Sequence, residues 1–212
     1  AGGDEQEPSP VQHADGVMMA SEDPHAYAEF LEGERYFASD LAAAETHLAA
    51  AVAKDAASQI AWVHLAVVRA VRARSFTHAG VRAAVAHVTA PEVLPPYERR
   101  VFATLRLLAN GNRKEALAAA KRARDEDRDD PVLWAMLAEA WDANDDVKQA
   151  VTCMQKSVDI APDVGAMQIS LAALRAKDGE RAAAVQGLER YVDKHPDDVD
   201  AKLALAGMRQ AH

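Results

Sequence analysis

Eight histidines and one cysteine, Cys153, are the residues of this chain best suited to metal ligation, proton transfer or nucleophilic attack. Their spacing serves none of these. No pair falls in the His-Glu-x-x-His pattern that sets two imidazoles and a general base on one helix face. Nor does any histidine–carboxylate pair have a spacing specific to metal or catalytic sites. His64, His78 and His87 fall on consecutive helical stretches and read as surface or half-buried imidazoles. A single cysteine forms no internal disulfide and no cysteine-based zinc site, and Cys153 lies mid-helix without an activating neighbour. There is no phosphate-cradling glycine loop, no Gly-x-Ser-x-Gly elbow and no paired-carboxylate setting. The expectation is a non-enzymatic protein with neither cofactor nor metal.

The elements that would position these side chains are helices. The chain is rich in alanine, which has the best intrinsic helix propensity, and poor in aromatics. No run reaches the ~18–20 apolar residues that span a bilayer. An echo of 34 residues is visible: Ala116, Ala150 and Ala184 share it, as do Leu137, Leu171 and Leu205, and Ala138, Ala172 and Ala206. Pro162 and Pro196 repeat it, and Gly111 and Gly179 lie two periods apart. Periodicity and punctuation predict helices at 25–37, 41–54, 59–73, 77–88, 97–109, 113–127, 131–143, 147–160, 165–177, 181–194 and 199–210. Asp163 and Asp198 are candidate caps. A fixed period of this length marks stacked helical pairs, each too small to bury its apolar face alone.

These features resemble the tetratricopeptide repeat (TPR) family, whose unit is two antiparallel helices in 34 residues. Residues 131–164 carry the pattern with Trp134, Leu137, Ala138, Trp141, Ala150, Met154 and Pro162, and 165–198 with Leu171, Ala172, Gly179, Ala184, Leu188 and Pro196. Residues 97–130 fit more loosely, with Arg100 in a large apolar slot and Arg128 where proline is usual. Leu31, Ala44 and Leu48 place a unit at 25–58; Trp62, Leu65 and Ala66 place another at 59–96. The latter has four extra residues, near Arg72–Ser75 or in the proline-rich connection Thr89–Pro96. The resemblance implies an all-α, right-handed α-solenoid of about five repeats and a capping helix in 199–212, with Leu203 and Leu205 covering repeat five. Residues 1–24 form an acidic, disordered or loosely docked tail outside the repeat domain of 25–212.

The resemblance also implies that first helices line a concave groove that binds a partner protein's helix or extended segment. The residues expected there are Val63, His64, Val67, Phe102, Leu105, Ala135, Met136, Glu139 and Asp142, apolar in the middle and acidic toward the C-terminal end. This differs from the TPR subclass that clamps a carboxylate with Lys, Arg and Asn. Trp62, Trp134 and Trp141 are expected to be packing residues.

Charge is unevenly placed. Nine acids precede the first base, Arg35; residues 60–124 then hold twelve bases and three acids, and 125–212 ten bases and eighteen acids. Arg69, Arg72, Arg99 and Arg106 mark a basic patch in the middle. Few aromatics interleave with it, so a nucleic-acid partner is not expected. An expectation from the matched charges is that the acidic tail leans on this patch and screens a partner site. The stretch Ala1–Pro10 resembles the polar tether after the lipidated cysteine of bacterial lipoproteins, which implies an envelope scaffold aiding assembly of a complex, attached to the membrane only through such an anchor. Leu94-Pro95-Pro96-Tyr97-Glu98-Arg99-Arg100 resembles TPR arrays of bacterial signalling kinases, cyclases and transcription activators, which implies the alternative of a cytoplasmic regulatory module.

Overall fold

The computed structural model describes residue 21 and residues 23–210, and the acidic tail falls almost wholly outside them. Within the described residues the chain is helical throughout, with no strand. In order come α1 (Pro24–Tyr36), α2 (Leu41–Lys54), α3 (Gln59–Ala73), α4 (Ala79–Ala86), α5 (Pro96–Ala109), α6 (Arg113–Glu126), α7 (Pro131–Ala143), α8 (Val147–Ile160), α9 (Gly165–Lys177), α10 (Arg181–Lys194) and α11 (Val199–Gln210). A short 3₁₀ turn, Pro91–Val93, precedes α5. Five antiparallel pairs stack into an α-solenoid, and α11 packs on α9 and α10.

Local chemistry sets the helix ends. The side chains of Asp23, Asp40, Asp130 and Asp146 accept backbone N–H bonds from the first turns of α1, α2, α7 and α8, satisfying donors that have no partner within the helix. Asp198 caps α11 through Ala201 N–H at 2.8 Å. Asp163 does not cap α9, which begins without a side-chain cap; its carboxylate meets His195 instead, at 3.1 Å. The turns inside the third, fourth and fifth pairs each place one residue in the left-handed region: Gly111 (φ 73°), Asp145 (φ 64°) and Gly179 (φ 87°). Glycine and aspartate tolerate that geometry better than most residues.

Small residues set how closely the helices approach. Ala138 and Ala150 are fully buried where α7 meets α8. In α1 the limit is tighter: a Cβ on Gly33 would sit 2.6 Å from Leu48 Cγ.

The four surplus residues of the second pair now have a location. From the start of a first helix to the start of its partner is 16 residues in the fourth and fifth pairs (Pro131 to Val147, Gly165 to Arg181) but 20 from Gln59 to Ala79. The spacing onward, from the start of α4 to the start of α5, is 17 residues against 18 from Arg113 to Pro131 and from Val147 to Gly165, so it is not lengthened. The surplus therefore lies at the end of α3 and in the turn 74–78, where Arg74 adopts a left-handed conformation (φ 53°). This turn bends inward: Phe76 is buried in the central core, and its backbone N–H favours the ionised form of the Glu139 carboxyl of α7. By contrast α4 is shorter than the sequence expectation, ending before Val88 where the chain turns toward Pro91.

The stack winds tightly. Along the inner side α3 packs on α5, α5 on α7, and α3 also reaches α9, three pairs away. The α1–α2 corner (Ala38–Ala42) shares a cleft with Asp163, Tyr191 and Asp198 of the last pair.

Candidate functional site

The tight winding changes what the inner face offers. Leu105 and Met136 have 0% exposure, and Val63, Val67, Phe102 and Ala135 are also buried, all in one core spanning α3 to α9. Of these six residues, expected to line an open groove, Phe102, Leu105 and Met136 are packing residues, whereas Val63, Val67 and Ala135, though largely buried, also line clefts. The sequence pattern placed them on the inward faces of first helices, but the curvature that presses those faces together is a sum over neighbours. Glu139 and Asp142 lie at the edge of the closed region and line a cleft of about 320 Å³ with Ala70, Phe76, Met167 and Leu174. There Lys177 Nζ donates to Asp142 Oδ1 at 2.6 Å. Burial, and then the Asp142 charge, push the Glu139 carboxyl up, against the Phe76 N–H and Lys177, which favour its ionised form.

Val63, His64 and Val67 of the expected set line the larger inner cleft, of about 520 Å³, between α1, α3, α5 and the start of α7. Its floor is Phe37, Val63, Val67, Val68, Val101 and Val132. Its walls carry Glu34, Glu98, Asp127, Asp129 and Asp130 against Arg100 and His64. His64 Nδ1 lies 2.8 Å from Glu34 Oε1, Nε2 lies 3.6 Å from Glu98 Oε1, and the Phe30 ring meets the imidazole edge-on at 4.9 Å. Burial opposes a charge on this imidazole. The charge and hydrogen bond of Glu34, with the Glu98 carboxylate 3.6 Å from the other ring nitrogen, outweigh burial and lift its pKa to about 10. His64 is therefore an imidazolium at neutral pH, locked between two carboxylates. Nearby, the Tyr97 hydroxyl donates to Asp130 Oδ2 at 2.6 Å, and burial with the Asp130 charge pushes the phenol far above its ordinary range.

Glu34, Tyr97, Glu98 and Asp127–Asp130 were not among the residues expected from sequence, yet one signal pointed to Glu98. It occupies the repeat position held by Val132 one period later. A carboxylate at an apolar repeat position, 1% exposed, needs a cation nearby, and His64 supplies it. Glu34 had no such mark, because its meeting with His64 depends on how α1 lies over α3.

The basic patch is largely spent within the protein. Arg69 Nε and Arg72 both reach the Glu45 carboxylate, at 3.0 and 2.5 Å, and Arg69 also donates to the Gly80 carbonyl. Burial of Glu45 would raise its pKa, but the two arginines outweigh this and lower it. Arg99 donates to the carbonyls of Leu94 (2.8 Å) and Glu92 (3.1 Å), clamping the turn before α5. Arg106 lies exposed over the Phe102 ring at 5.6 Å; among the described residues it alone of the four has no polar partner.

The other singled-out residues have structural work. Trp62, Trp134 and Trp141 pack one part against the core but are only half-buried. The Trp62 and Trp134 indoles donate to the carbonyls of Ala56 and Arg128. Their outer faces are covered by His87 on Trp62, Arg124 on Trp134 and Lys121 on Trp141. Burial raises the Cys153 thiol to about 11, which makes it unreactive. On α11, Leu205 covers the fifth pair as expected, but Leu203 is 66% exposed and does not. Among the described residues no group of three or more His, Cys, Asp or Glu side chains is arranged to hold a metal ion, and no helix is long and apolar enough to cross a membrane.

With this geometry in view, comparison with known proteins is informative. Residues 107–177, about a third of the chain, match the family model described as tetratricopeptide repeat. The crystal structure of the APC/C hetero-tetramer Cut9–Hcn1 superposes with a TM-score of 0.53 at 17% identity, over 87% of this chain but only 36% of that one. TTC0263, a thermophilic TPR protein of Thermus thermophilus, superposes with a TM-score of 0.53 at 16% identity, over 88% of this chain and 100% of that one. At such identities the likeness is one of fold. No curated protein matches the chain.

Proposed function

We infer that this chain, of which residues 107–177 match the tetratricopeptide repeat model, is a non-catalytic scaffold that holds a partner protein on the inner side of its solenoid. The observation that carries this reading is the inner cleft of about 520 Å³. It combines an apolar floor with a charged rim, has the volume of a small-ligand pocket (about 300–1,000 Å³) and so room for a few side chains of a partner, and contains no nucleophile, base and oxyanion donor in mutual reach. The closed inner face confines docking to this cleft and the smaller one beside Glu139, rather than one continuous groove.

A photo-crosslinking residue in place of Val132 tests the reading in native extract, with the same residue at exposed Ala118 of α6 as control. A discrete protein adduct from Val132 and none from Ala118 supports a scaffold. Equal labelling at both positions, or turnover of a small molecule by the purified chain, sinks it.

The finer reading is a tethered envelope protein that aids assembly of a complex, supported by the resemblance of Ala1–Pro10 to a lipoprotein tether. The second reading, a regulatory module, draws on Leu94–Arg100. Its support is thinner, because three residues there have structural roles: Arg99 clamps the preceding turn, Tyr97 bonds Asp130, and Glu98 faces His64. Immunodetection after separating envelope from soluble fractions distinguishes the two.

A further inference from the structure

We propose that the cleft between α1, α3, α5 and α7 receives an extended cationic segment of the partner protein, with one arginine or lysine against its acidic wall and an adjacent apolar side chain on its valine floor. This names the occupant of the site proposed above and rests on the scaffold reading.

The argument is one of charge left over after internal pairing. Both cations in the cleft are committed: His64 lies between Glu34 and Glu98, and Arg100 reaches Glu126 at 3.0 Å. Of the wall carboxylates, Asp130 is committed too, capping α7 and accepting from Tyr97. Asp127 and Asp129 are not. Among the described residues neither has a cationic partner; the Asp127 carboxylate accepts only the Asp129 backbone N–H, at 3.2 Å. They stand on the α6–α7 connection at the cleft mouth, lining it together with Val132 and Val101. An approaching anion meets these two free carboxylates, whereas a cation gains from them. The floor behind them is apolar and presents aliphatic walls from three helices, which suits a Leu, Val or Phe beside the charge. The Tyr97–Asp130 bond ties α5 to the start of α7, and the His64–Glu34 pair ties α3 to α1.

The test uses the full chain and fluorescein-labelled ten-residue peptides, each with one or two Arg or Lys flanked by Leu, Val or Phe. A matched pool has Glu in place of every Arg and Lys. Fluorescence polarisation at low salt is expected to show at least tenfold tighter binding of the cationic pool, with the gap narrowing as salt screens the charges. The double substitution Asp127→Asn with Asp129→Asn, which keeps the turn's hydrogen-bond acceptor, is expected to weaken cationic binding several-fold while circular dichroism and melting stay unchanged. Val132→Ala is expected to weaken it further.

Equal binding of the two pools overturns the proposal, as does cationic binding that the double variant leaves intact. Absence of binding by either pool up to millimolar concentration overturns it as well. In each of these cases the scaffold reading is judged separately, because a protein adduct from Val132 would still support it.

Discussion

The fourth and fifth helical pairs and the second pair share the plan of two antiparallel helices, and the turn inside the pair is where they diverge in three dimensions. In the former, α7–α8 and α9–α10 are joined by short turns in which Asp145 or Gly179 takes a left-handed conformation, and the turn itself stays at the surface. In the second pair the surplus residues turn inward, and Phe76 becomes part of the core between α3, α7 and α9. A regular turn connects two helices of one repeat. The lengthened turn also connects the second repeat to the fourth, by an apolar side chain set beside Ala135 and Glu139 of α7. A solenoid normally gains stability from nearest neighbours; here a contact between non-adjacent repeats is added and holds the inner face shut.

Breaking that contact should give the largest effect. Phe76→Ala is expected to destabilise the chain by about 3–5 kcal/mol, the usual cost of emptying a buried phenylalanine site. Urea titration followed by circular dichroism measures it, and a loss under about 1 kcal/mol would mean the turn is not part of the core.

Second is the electrostatic lock on the other cleft. The folded pKa of His64 is raised from 6.5 to about 10, so its stabilising contribution is full below pH 6.5 and is lost as pH rises toward 10. Stability measured across pH 6.5–10 should fall in the wild type and fall less steeply in His64→Gln. Parallel curves would show that the imidazole is not held as a cation.

A smaller effect belongs to close packing of the first pair. Gly33→Ala puts a methyl group 2.6 Å from Leu48 Cγ and is expected to cost about 1–3 kcal/mol by overpacking. A neutral result would mean that α1 and α2 separate easily.

The smallest effects sharpen the comparison of turns. Gly111→Ala introduces a Cβ at φ 73° and should cost about 1–2 kcal/mol. Asp145→Gly removes one from the equivalent turn and should be neutral or stabilising by less than about 1 kcal/mol. If both substitutions destabilise equally, the turn geometry is not what limits these positions.

The helices were legible in the residues because their signals are local. Ala138 and Ala150 mark close approach, Asp198 marks a start where Asp163 does not, and Gly111 and Gly179 mark stops. Each of these acts within one or two turns of its own helix. The placement of the extra residues in the second pair was not legible, since a proline-rich connection and a lengthened turn give the same spacing. Nor was the fate of Phe102, Leu105 and Met136. Their types suit an exposed apolar groove and a closed core equally well, and which one forms depends on curvature.

The sequence alone therefore determined an all-helical chain of stacked pairs. Helix propensity, capping and a 34-residue period need no knowledge of distant contacts. Tertiary structure decided which inward residues stay open, which arginines are already paired, and that Glu34, His64 and Glu98 meet across three helices. Those outcomes depend on small rotations accumulated from pair to pair, which bring α3 onto α9. No single repeat encodes that sum.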